Sequence, residues 1–107
     1  MLVQSFIDKK CSQLTYYIQA FWHDELPYTE LENFMWDTFE EWAELEHKQN
    51  QLYTHKERIF WHLLHQTQYV SAKSLKEDDI LKDEIDLCLH YLKTNRACPF
   101  DVVGMRP

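Results

Sequence analysis

Asp37, Glu40, Glu41 and Glu44 are three, four and seven positions apart, so on a helix they share one arc of about 100°. Carboxylates held side by side attract cations, and on a protein surface they steer and hold a basic partner. Trp36 falls on the flank of the same arc, about 140° from the centre of its helix's apolar stripe. A tryptophan beside carboxylates is a common composition for an interface, because the ring anchors while the charges orient. These five residues are the expected partner-binding face. The competing reading is a plain solvated face, partly neutralised by lysines of neighbouring helices.

That arc has an energetic cost. Asp37/Glu40, Asp37/Glu41 and Glu40/Glu44 are like-charge neighbours, each destabilising an isolated helix by about 0.2–0.5 kcal/mol. Glu44 and Glu46 also lie toward a helix C-terminus, where the dipole disfavours anions by a further ~0.3–1 kcal/mol each. The surrounding sequence sharpens the asymmetry. Between Cys11 and His47 there are nine carboxylates and no lysine or arginine. The flanks carry +1 each, so this segment at −9 accounts for the whole excess in a net charge of −7. Such a balance argues against binding DNA, RNA or an anionic membrane, which need clustered Lys and Arg.

Other chemistry is thinner. A four-helix di-iron site needs two Glu-x-x-His pairs pointing inward, and the chain has one, Glu44 to His47, with Glu44 on the outer arc. His62 and His65 are three apart and are weak metal candidates, with a third ligand to come from His23, His90 or Cys88. Two polar residues flanking the Leu63/Leu64 stripe is the simpler account, and the expectation is no metal and no cofactor. Cys88 and His90 point roughly 160° apart on a helix, so they form no dyad. Glycine-rich phosphate loops and nucleophile motifs are absent, and no catalytic residue is assigned. The three cysteines, Cys11, Cys88 and Cys98, are an odd number without CxxC spacing and read as reduced thiols of a cytoplasmic protein.

The elements that must position these residues are helical. The chain of 107 residues has one glycine and three prolines, too few breakers for a sheet protein. Val3, Ile7, Cys11, Leu14, Ile18 and Phe21 predict a first helix over about 2–23. Thr29-Glu30-Leu31-Glu32 reads as a capping box opening a second, with Leu31, Phe34, Met35, Thr38, Trp42 and Leu45 inward and an end near Lys48. Thr54 to Glu57 is a second box, opening a helix to about Tyr69 with Ile59, Phe60, Leu63, Leu64 and Thr67 inward. Ser74 to Glu77 is a third, opening a helix to about Thr94 with Leu81, Ile85, Cys88 and Leu92 inward.

The predicted fold is all-α, an antiparallel bundle of about four helices over residues 1–96. Residues 97–107 form a non-helical tail, too apolar at Phe100, Val102, Val103 and Met105 to be purely solvated, and expected to pack on the same domain. Tyr17, Trp22, Trp36 and Trp61 are set aside as a possible homodimer surface, since adjacent aromatics cannot both sit at the centre of one narrow stripe. No stretch has the pattern of a signal peptide or a membrane span. Function follows only as a class: an acidic helical protein acting through protein contacts. The rivals are an acidic mimic of nucleic acid, and a small metal-binding or catalytic bundle.

Overall fold

In the computed structural model, residues 2–94 and 104–107 are described. The chain is all-α: α1 (Val3–Trp22), α2 (Tyr28–Glu44), α3 (His55–Tyr69), α4 (Ala72–Glu77) and α5 (Asp79–Thr94), with a short 3₁₀ turn at Lys48–Asn50. It divides into two compact units, residues 1–53 and residues 54–106. Among the described residues no helix is long and apolar enough to cross a membrane.

The first unit is a helical hairpin. All six stripe residues of α1 are buried, as are Leu31, Phe34, Met35, Thr38 and Trp42 of α2. Phe6 meets Trp42 at 5.7 Å, Tyr17 stacks on Phe34 at 4.7 Å, and Phe21 meets Tyr28 at 5.8 Å. As the α1 number rises the α2 number falls, which fixes α1 and α2 as antiparallel. Thr38, a poor fit for an apolar core, satisfies its hydroxyl by donating to the Phe34 carbonyl at 2.8 Å.

The turn between these helices is built without glycine. Glu25 N donates to Ala20 O at 2.9 Å and Asp24 N to Phe21 O at 3.2 Å, the paired bonds of a Schellman stop. That geometry places Asp24 in the left-handed region at φ 59°. The expected capping box at Thr29 does not form. Pro27 stands at the N-cap, and no side chain caps the helix there. Proline's fixed φ and missing N–H suit it to a helix start, so the helix begins one residue before Thr29.

The far end of α2 also differs from expectation. The helix stops at Glu44 rather than near Lys48, Leu45 is extended, and His47 is left-handed at φ 58°. This folds Lys48 back over the helix end. Its ammonium donates to the carbonyls of Trp42 at 3.0 Å, Ala43 at 3.3 Å and Leu45 at 3.4 Å. A cation on orphan carbonyls offsets the dipole penalty that Glu44 and Glu46 create.

In the second unit Thr54 caps α3 as expected, accepting from Glu57 N at 3.2 Å. The anticipated fourth helix is broken in two. Ser71, not Ser74, caps α4, and the chain becomes extended at Asp78. The Asp78 carboxylate then accepts from Leu81 N at 3.1 Å at the start of α5. A short acceptor that competes for nearby backbone N–H groups ends one helix and opens the next. Ile85, Cys88 and Leu92 are buried as the spacing required, with Leu89 beside them, and Leu81 is half-buried.

A left-handed non-glycine residue costs about 1 kcal/mol or more. Asp24→Gly should therefore raise stability by about 0.5 kcal/mol once the added freedom of the unfolded chain is deducted. A urea titration of the two proteins side by side measures it; an unchanged or lowered midpoint would show that Asp24 is held by something other than the Schellman turn.

Candidate functional site

The acidic arc is real but not uniform. Asp37, Glu40, Glu41 and Glu44 are all exposed on α2. Three of them, Asp37, Glu40 and Glu41, turn toward α1 and border a pocket of about 390 Å³ together with Glu30. Glu44 and Trp36 lie outside that pocket. Trp36 is 57% exposed and packs edge-on against Phe39 at 6.2 Å, on the adjoining surface.

Lys10 comes from α1 to meet this face. It is 5% exposed although it is a lysine. Its stem lies between two rings, with the ammonium 5.8 Å from the centre of Phe6 and 5.4 Å from that of Phe34, and the ammonium pairs with Glu41. Burying the methylenes while the charge reaches a carboxylate is the usual way for lysine to sit at a core edge. The expectation of neutralisation by a neighbouring helix therefore holds for Glu41. Glu30, Asp37 and Glu40 leave the pocket negative, four carboxylates against one ammonium.

The remaining lining is suited to a flat cation. Tyr17 and Phe34, stacked with their planes 19° apart, supply aromatic surface, and Asn33 adds an amide. Gln13 Oε1 is buried with no hydrogen-bond partner among the described residues. Such an acceptor has lone pairs open to a donor.

The second unit holds a site that the sequence reading missed. Glu57 is 0% exposed. Its carboxylate accepts from Trp61 Nε1 at 2.9 Å and from Arg106, whose Nε approaches Oε2 at 2.5 Å and whose Nη2 approaches Oε1 at 2.8 Å. The forked guanidinium matches a carboxylate edge on, and the indole N–H takes a further lone pair. Sequence reasoning assigned Glu57 to a reciprocal capping box; only the Thr54 half forms, and the carboxylate turns inward instead. Trp61, set aside for a dimer surface, is 0% exposed. Its ring packs on Phe60 at 4.9 Å, so α3 has a buried face wide enough for adjacent aromatics. The available signal was the i, i+4 spacing of Glu57 and Trp61, which places both on one face.

Gly104 sits directly on α3. A β-carbon there would lie 1.9 Å from Arg58 O and 2.6 Å from His62 N, so no other residue fits without displacement. His65 Nε2 is 3.1 Å from Met105 O. His65 is thus engaged with the segment at residues 104–106, and among the described residues no group of three His, Cys, Asp or Glu is placed to hold a metal. His62 has its pKa lowered, first by burial, with Glu84 opposing that effect and His65 adding to it. Cys11 and Cys88 are buried. Cys98, Phe100, Val102 and Val103 lie outside the described residues.

No family model matches this chain. Neither a curated protein nor a solved structure is significantly similar to it.

Two outcomes follow from this geometry. Removing one partner of a buried ion pair typically costs about 3 kcal/mol or more. Arg106→Ala and Glu57→Gln should each destabilise by that order, while the double variant loses little more than either alone. A double-mutant cycle by urea unfolding reads the coupling, expected at about 3 kcal/mol. Additive losses would mean that the pair is not coupled. His62, with its pKa lowered in the folded state, binds a proton more readily when unfolded, so it should withdraw stability as pH falls below about 6.5. His62→Gln should show a smaller drop in urea midpoint between pH 7 and pH 5 than the parent protein; equal drops would rule His62 out as the cause.

Proposed function

We propose that the protein is a cytoplasmic interaction module whose α1/α2 pocket takes a basic side chain, arginine foremost, from a protein partner. The single observation carrying this reading is the pocket's composition: Glu30, Asp37, Glu40 and Glu41 against Lys10 alone, with Lys10 already engaged. An arginine would lay its plane against Tyr17 and donate to Asp37 and Glu40. It would also reach the Gln13 acceptor. Trp36 on the adjoining surface would bury its ring against the partner and slow its release.

Convergence of the carboxylates around one pocket favours capture of a single side chain over a row of phosphate-like charges. The arc's self-repulsion is then the cost of a field that steers a basic partner inward.

The test uses a fluorescein-labelled arginine-rich peptide and its lysine counterpart. Asp37→Asn combined with Glu40→Gln should weaken the arginine peptide about tenfold at low salt, and raising the salt should weaken the parent protein similarly. Glu44→Gln, outside the pocket, should change affinity less than twofold. Equal effects of the two replacements would mean that general surface charge, not the pocket, binds the peptide.

A further inference from the structure

The slot on α3 is as selective as the pocket on α2, and its present occupant is the chain itself. Each contact is made by three successive residues. Gly104 presses its backbone against Arg58 O and His62 N, a position closed to any side chain. Met105 contributes its carbonyl to His65 while its side chain is 67% exposed and unselected. Arg106 fills the bottom of the slot with its fork on Glu57. The requirement is a glycine, any residue, then an arginine.

Glu57 makes an open slot costly. Without a guanidinium, a carboxylate with no exposure keeps, among the described residues, the Trp61 indole N–H at 2.9 Å. Whatever removes residues 104–106 from the slot must supply an equivalent segment. Every other copy of this chain carries one. Exchange between two copies keeps every one of these contacts and is reciprocal, so it closes as a two-fold pair rather than growing into a filament.

We infer that the α3 slot is a recognition site for a Gly-x-Arg segment, filled in cis by residues 104–106 and able to take the same segment from a second copy of the chain. Within one chain the segment is present at an effective concentration on the order of millimolar, so cis occupancy prevails in dilute protein. Disabling the segment in one copy and the slot in another removes that competition.

The experiment mixes two full-length variants. Arg106→Ala keeps the slot and loses the segment; Glu57→Gln keeps the segment and loses the slot. Light scattering should give a one-chain mass for each alone and a two-chain mass for the mixture, at a concentration where the parent protein has a one-chain mass. No gain of mass in the mixture, with both variants helical by circular dichroism, overturns the inference. Should Arg106→Ala fail to fold, Gly104→Ala replaces it, because the added methyl unseats the segment and leaves the slot chemistry intact. A labelled Val-Gly-Met-Arg-Pro peptide gives a second reading that does not need Glu57→Gln. It should bind full-length Gly104→Ala at least tenfold more tightly than the parent protein, whose slot is filled. Equal binding to the two overturns the inference.

Discussion

A carboxylate with no solvent exposure sets the terms for the second unit. Burying a carboxylate there is costly unless its oxygens are hydrogen-bonded, and the donors come from its own helix and from a distant part of the chain. Trp61 is one turn away on α3 and is drawn to the buried face with it. Arg106 is 49 residues away and brings Gly104 and Met105 into contact with the helix. The close approach of Gly104, the His65 contact and the burial of Trp61 are thus parts of one arrangement. A well-packed apolar group at position 57 could give equal stability, but it would not select an arginine.

The first unit manages charge in the opposite way. Its carboxylates stay at the surface, and the cations that answer them are placed at two points only among the contacts described. Lys10 reaches Glu41 from between two aromatic rings. Lys48 turns back over the end of α2, where it offsets unfavourable anions at a helix C-terminus. Of what remains negative, Glu30, Asp37 and Glu40 gather where the α1/α2 pocket opens. A −9 segment is therefore compatible with a stable hairpin, because the aromatic contacts along the α1/α2 seam carry the packing.

Periodicity located most of the core, though not Phe6, Trp61 or Leu75. Every α1 stripe residue is buried, and in α2 and α3 the stripe misses only Leu45, which lies beyond the helix end. Apolar spacing is legible because a helix repeats it over many turns, so a single exception does not hide it. The capping boxes were less dependable: of the three expected, only the Thr54 half of one formed. A box is a pattern of four residues, and a proline at 27 or a competing serine at 71 overrides it locally. Of the acidic site, the arc and the exposed Trp36 were legible from the helical wheel. The pocket was not, because it needs Lys10, Gln13 and Tyr17 from α1 as its second wall. Glu57 and Arg106 were invisible as a pair, since no local pattern links residues 49 apart.

That separation has a consequence in time as well as in space. At the usual 5–20 residues per second, ribosomes add Arg106 about 2–10 s after Glu57. Residues 3–44, the two helices of the first hairpin, have been made before Glu57 is added, so their packing need not wait for any later residue. The nascent second unit meanwhile carries a carboxylate that water can solvate and a closed core cannot. Its final packing is held back until the arginine is added, which lets synthesis itself order the folding of the two units.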